Sequence, residues 1–329
     1  MFTTKLLIKQ MFLKQNLKSK QEKVSNPVET TKIVSKLLLL FFKLVVILFF
    51  GAIVLFPFYF MITNSLFSND LSLDKSEIHL IPREIDTNKI SFHWENYAKA
   101  FQEGYGKALL YTSLITAISI AGKIFFSMTF GYAFSLKQWK LKNAMWFFFL
   151  SLLVLPELAL LWQQYIIVSK LEWKDKADMF RMLITLTIPF VASVFSGFMF
   201  RNAFEAINDS VKESAKIDGA SELKFFVKIA IPMIKPTIWT VAILTAFASW
   251  NSYLWPSTVY DGKADAPLLS IWLFSTGKDN ETGSEASRVF TNIRMAGAIL
   301  VLLPLIVVYA VIRKRIMNAI SRQGVATKG

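Results

Sequence analysis

Residues 212–236 read "KESAKIDGASELKFFVKIAIPMIKP", a charged stretch with a glycine at its centre, set between two of the most apolar parts of the chain. Its residue types spell out a helix, a tight turn and a second helix. Ser210 is placed to cap the first helix, with Glu213 three residues on as the capping-box partner. Asp218-Gly219 ends it, because glycine tolerates the left-handed backbone that a sharp corner needs. Ser221 is placed to cap the second helix, on which Leu223, Phe226, Val227 and Ala230 recur at helical spacing as an apolar stripe. Pro232 and Pro236 then interrupt the pattern. Small residues at Ala215, Gly219 and Ala220 keep the corner slim. Such a corner suits insertion into a groove on another protein; an amphipathic loop packed under its own bundle is the plainer alternative.

The surrounding composition gives the corner its setting. Of the 329 residues, 54% are hydrophobic and 30 are Phe, and the mean hydropathy is +0.44. That excess over a typical soluble domain points to lipid as a solvent. The absence of Cys excludes disulfides and thiolate metal sites, and two His are too few for a His-rich one. A span needs about 20 apolar residues to cover a ~30 Å hydrocarbon layer. Six candidates meet this, at 44–62, 109–134, 144–168, 182–200, 237–259 and 293–312.

The net charge of +14 would suggest nucleic acid in a soluble protein, but here the arrangement of charge decides. With the N-terminus inside, the inner segments (1–43, 135–143, 201–236 and 313–329) hold 23 basic and 7 acidic residues. The outer loops hold 12 basic and 15 acidic residues. A basic interior face is what membrane insertion selects, so no nucleic-acid partner is expected. Both ends are expected in the cytoplasm. The expected division is a basic tail over 1–43, a six-span domain over 44–312 and a basic tail over 313–329. The opening stretch, with its flanks at about 204–236, becomes a cytoplasmic loop between the fourth and fifth spans. The basic, partly amphipathic N-terminal tail is suited to lie on anionic lipid headgroups or to be solvated. A short helix is expected at 94–101 in the first outer loop.

Catalytic signatures are missing. Gly-Lys pairs at 106–107, 122–123, 262–263 and 277–278 all lack the spacing and the following Ser or Thr of a phosphate-cradling loop. No His-Glu-x-x-His, Gly-x-Ser-x-Gly or Cys nucleophile occurs. Ionisable residues within spans are costly and lean functional; they are Glu157, next to a helix-kinking Pro156, and Lys123. "WQQY" at 162–165 and "WNSYLW" at 250–255 combine aromatic faces with amides. Gln163, Gln164, Asn251 and Tyr253 are therefore candidates, with Glu157, for a sugar path. Interfacial aromatic anchoring is the competing account of the same residues.

The opening stretch resembles the EAA loop of ABC-importer permeases. Glu213, Ala215, Asp218, Gly219, Ala220, Phe226, Ile229 and Pro232 fall on that pattern. "FPFYFMITNSL" at 56–66, "FHWENYAKAF" at 92–101, "GYAFSL" at 131–136, "SWNSYLWP" at 249–256 and the terminal "RQGVATKG" resemble the carbohydrate branch, and most closely the second permease subunit of maltose-type and glycerol-phosphate-type importers. Ser214 and Asn208 depart from the pattern, at positions where Ala and Pro are usual.

The resemblance implies an all-α integral membrane protein with about six transmembrane helices, the type I importer permease fold, in a bacterial cell membrane. It implies a second permease as heterodimeric partner, two ATPase subunits that carry ATP and Mg, an external substrate-binding (lipo)protein, and no cofactor or enzymatic activity on this chain. Glu213 is then expected to touch the ATPase and Gly219 to form the turn. The expected solute is a sugar or a glycerol-phosphate-like compound. Another small solute, a secondary transporter or a membrane assembly protein are the alternatives; inverted repeats, frequent in secondary transporters, are absent.

Overall fold

The computed structural model describes residues 11–17, 33–74, 78–85, 87, 89–102, 104–136, 139–174, 178–260, 268–278 and 288–326. Among these residues the secondary structure is helical, apart from two isolated β-bridges, Arg83 with Ile90 and Lys278 with Val289. Contacts divide the chain into two units, Met1–Phe60 and Met61–Gly329. The first holds a short helix at 11–17 and most of α1 (Ile33–Ser65). The apolar part of α1, Leu37–Ser65, has mean hydropathy 3.0. This helix contains the first expected span and begins well before residue 44. The remainder of the basic tail, with the question of its lipid contact, lies outside the described residues.

In the second unit, α2 (Asn69–Leu73) and α3 (Glu95–Gln102) fall within the first of the expected outer loops, with α3 where a short helix was expected. Glu95 opens α3; a hydrogen bond from its own backbone amide and a second from His93 hold its carboxyl below the usual range. The long α4 (Tyr105–Ser135) covers the second expected span and is the axis of the unit, packed on α7 (Met179–Val191), α8 (Val194–Glu205) and α11 (Lys235–Trp250). Its 31 residues reach about 46 Å, enough to cross a bilayer. Close approach to α8 depends on glycine: a Cβ on Gly131 would stand 2.6 Å from Phe200 Cβ and 2.8 Å from the Gly197 carbonyl oxygen. Such close helix contact is how spans associate in lipid, where apolar burial supplies little drive.

The expected spans are not all single unbroken helices. Three helices are long and apolar enough to cross a membrane, and two bent pairs pass the same test as units, so up to five crossings follow from length and composition among the described residues. The fourth expected span is α7 and α8, bent by 54°. Pro189 lies inside α7, and the Ser193 side chain caps α8 by accepting from the Ser196 amide. The fifth is α11, which follows the second loop helix, α10 (Glu222–Met233), at a 72° bend; the polar end of that expected span is the separate α12 (Leu254–Val259). The third is divided into α5 (Lys142–Leu152) and α6 (Glu157–Lys170). At 1.5 Å per residue these reach only about 17 and 21 Å. The break falls immediately before Pro156, whose ring disfavours helix in the residue ahead of it.

The end of this unit that carries α3 closes with α13 (Leu269–Ser275) and α14 (Thr291–Ala326). Arg294 donates to the carbonyl oxygens of Thr276 at 3.3 Å and Phe274 at 3.0 Å, so this cation at a span edge caps α13. Asn292, fully buried, donates from its amide to Phe67 O at 3.0 Å and to Asn69 Oδ1 at 2.9 Å. Asn96, also buried, donates to the Ser65 and Phe67 carbonyl oxygens, both at 2.9 Å. This asparagine cluster ties α2, α3 and the start of α14 together.

Candidate functional site

The loop between α8 and α11 folds into two helices joined by a tight corner, α9 (Asp209–Ile217) and α10. Its N-cap differs from expectation. Asn208, not Ser210, is the cap; its Oδ1 accepts from the Ser210 amide at 3.1 Å, so the helix starts two residues earlier and Glu213 is left exposed on its surface. Asn208 and Ser210 are both competent caps by residue type, and the backbone selects the first. Asn at this position satisfies the same orphan donors.

The corner itself is as expected. Gly219 has φ +69°. The Ala220 amide donates to the Ala215 carbonyl at 2.9 Å, and the Gly219 amide to the Lys216 carbonyl at 3.0 Å. These are the paired bonds of a Schellman ending, with Ala215 buried beneath. Ser221 caps α10 by accepting from the Lys224 amide at 3.3 Å. Within α10, residues Phe226–Ala230 widen to a π-helical turn, and the Ile231 amide reaches back to the Phe226 carbonyl. The wider turn absorbs the bond that Pro232 cannot make.

The expected apolar stripe of α10 splits in two. Phe226 and Ala230 face the protein, Ala230 fully buried in a cluster with Phe200, Phe204, Ile234 and Val241. Leu223 and Val227 turn outward, 72% and 51% exposed, and Ile217 at the end of α9 is 86% exposed. The loop therefore presents an apolar crest beside exposed Glu213 and Asp218, while its inner face is fixed to the spans. Tyr132 of α4 makes the firmest link: its ring lies 5.1 Å from that of Phe204 and 4.5 Å from that of Phe226, and its hydroxyl donates to Glu222 at 3.4 Å. Behind the crest is a cavity of about 250 Å³, lined by Tyr132, Glu213, Lys216 and Glu222 among others.

A second candidate site lies where α6, α7 and the end of α11 meet. Gln164, Asn251 and Tyr253 line one cavity of about 510 Å³, with Phe190, Ser252 and Trp255. Packing thus brings together three residues singled out from two separate stretches. Trp255 is held by a bond from its indole to the Thr185 carbonyl at 2.9 Å. The Tyr253 ring packs on Phe274 with centroids 4.4 Å apart. The Asn251 amide donates to the Phe247 carbonyl at 2.9 Å, and Gln164 has no hydrogen-bond partner among the described residues. Gln163 is exposed and does not line this cavity. Glu157 is the first residue of α6; its side chain lies outside what is described. Phe190 and Ser252 were not singled out in the sequence, although Pro189 marks the helix irregularity beside them.

Residues 123–322, which include both sites, match the family model described as "Binding-protein-dependent transport system inner membrane component". The chain belongs to this family. It is thus an ABC-importer permease, a non-catalytic subunit integral to the membrane. A probable ABC transporter permease protein of Mycoplasma pneumoniae is 46% identical to it over 89% of this chain and 90% of its own length. One of Mycoplasma genitalium is 42% identical, over 92% of each. The sn-glycerol-3-phosphate transport system permease protein UgpE of Escherichia coli is 28% identical over 82% of this chain and 91% of its own. A solved bacterial ABC transporter involved in alginate import has a chain of the same fold, with TM-score 0.66 and 21% identity over 88% of this permease and 99% of that chain. The type I importer permease fold is therefore the fold of this chain.

Proposed function

We propose that this permease moves a sugar or glycerol-phosphate-like solute across the cell membrane by alternating access, as one half of a heterodimer with a second permease. Two separate ATPase subunits carry ATP and Mg and supply the motion; an external binding protein supplies the solute. The loop of α9 and α10 is the joint between ATPase and spans. Glu213, Ala215, Asp218, Gly219, Ala220, Phe226 and Pro232 build it, and both chain ends lie with it in the cytoplasm. What carries this reading is the two-faced loop. Its crest of Ile217, Leu223 and Val227 stands exposed around a rigid corner, and its inner face is locked onto α4 and α8 through Phe226 and Ala230. A bare apolar crest calls for a partner, and the opposite face gives that partner's movement a path to the spans.

The test is a mild-detergent purification of the tagged chain with mass spectrometry, followed by ATPase and uptake assays of Gly219→Val and Glu213→Ala. A Cβ at 219 meets nothing within 4 Å, so the valine variant is opposed by the backbone rather than by packing. A P-loop ATPase and a second permease should co-purify with the parent. The valine variant should keep ATP hydrolysis but lose its link to uptake. A chain that purifies alone, or a valine variant with parental coupling, overturns the joint.

A further inference from the structure

The cavity at Gln164, Asn251 and Tyr253 discriminates between the two solute classes that the permease reading leaves open. None of its lining residues carries a charge: besides those named above they are Leu161, Pro189, Ala248 and Leu254. A phosphate ester entering a membrane-embedded cavity loses hydration worth several kcal/mol. Sites that accept phosphate offset this with Arg, Lys or converging backbone amides. Here the long helix that ends at the cavity is α11, with Asn251 as its C-cap. It therefore directs its carbonyl end, the negative end of the helix dipole, toward the cavity, against only the opposing amino end of the much shorter α12, six residues long and starting there at Leu254. The groups that are present suit hydroxyls and C–H faces. Gln164 offers an amide without a partner among the described residues, Asn251 an amide oxygen, and Tyr253 a phenol, set beside the rings of Phe190 and Trp255. Irregular backbone near Pro189 and Asn251 is tolerated at membrane depth where it lines such a cavity.

We propose that this cavity is a solute contact specific for an uncharged, hydroxyl-rich compound, and that it excludes phosphate esters. The proposal rests on the permease reading above and would make this chain a sugar permease rather than a glycerol-phosphate one. The chain contains no Cys, so a single introduced thiol reports without background. In the assembled importer, Gln164→Cys is treated with methanethiosulfonates carrying either an ammonium or a sulfonate group, and Ser252→Cys serves as a second position. Rates are normalised to free cysteine. The cationic reagent should be favoured about five-fold or more at the carbonyl end of α11. Labelling should also abolish uptake of a neutral disaccharide. Equal or faster reaction of the anionic reagent, with uptake lost on labelling, overturns the exclusion of phosphate and leaves the permease reading intact. Thiols unreactive at both positions, or labelled importers with parental uptake, remove the cavity from the solute path; the permease reading is then judged by the Gly219 variant alone.

Discussion

Asn292 shows what one buried amide holds in place. Its Nδ2 serves acceptors on α2, on the turn at Phe67 and, at 3.3 Å, on Asn96. Removing the side chain takes the donor from Asn69 Oδ1 and Asn96 Oδ1 and leaves the Phe67 carbonyl only its bond from Asn96, at a cost of about 2–3 kcal/mol. Asn292→Ala should therefore lower the midpoint of thermal unfolding in detergent by about 4–12 °C, at the roughly 2–4 °C per kcal/mol of chains of 150–250 residues, and toward the low end for this longer one. A midpoint unchanged from the parent would mean that water already serves these groups. The same amide marks a limit of sequence reading. Asn69, Asn96 and Asn292 carry no shared motif, and only the packing of α2, α3 and α14 makes them neighbours. Gly219 lies at the other extreme. Its turn was legible because glycine accepts the left-handed backbone of a sharp corner at no steric cost where most residues resist it, and the observed φ of +69° agrees. The cap at Asn208 was misplaced by two residues, since both Asn208 and Ser210 are competent caps and propensity alone does not choose between them.

At the scale of elements, hydropathy located every long helix but not its continuity. The stretch 144–168 reads as one apolar run, yet Pro156 divides it into α5 and α6. The stripe on α10 reads as one face, yet the π-turn at Phe226–Ala230 rotates Leu223 and Val227 away from Ala230. Periodicity assumes a uniform 3.6-residue turn, and proline positions break that assumption. Where α4 meets α8, small residues govern instead. Gly131 faces the backbone of Gly197 and Arg201, with no flexible side chain to yield. Gly131→Ala should push the helices apart and lose about 1–3 kcal/mol, as overpacking does. A loss of purified yield and a lower unfolding midpoint, with Gly51→Ala as a control in open space, is the expected outcome. Equal behaviour of the two variants would show that α4 and α8 have room to adjust.

Across the whole molecule, the two sites sit on opposite ends of shared helices. The loop joint is fixed to the end of α4 through Tyr132, and the outer part of α4 at Ile115 packs in the same cluster as Trp255, a wall of the solute cavity. A displacement of the joint therefore has a continuous helix along which to reach the cavity, which suits a carrier whose driving motion enters at the joint. The orientation proposed for it in the bilayer rests on 23 basic residues in the segments assigned to the loop side against 12 in the other loops. The absence of Cys makes the orientation directly measurable. Lys224→Cys, exposed on α10, should react with a membrane-impermeant maleimide only after cells are opened, whereas Thr87→Cys, exposed in the first outer segment, should react in intact cells. Neither position packs in a core, so both variants should assemble. Labelling of position 224 in intact cells would place the joint outside, where no ATP-fuelled partner could grip it, and the coupling model would fall with the topology.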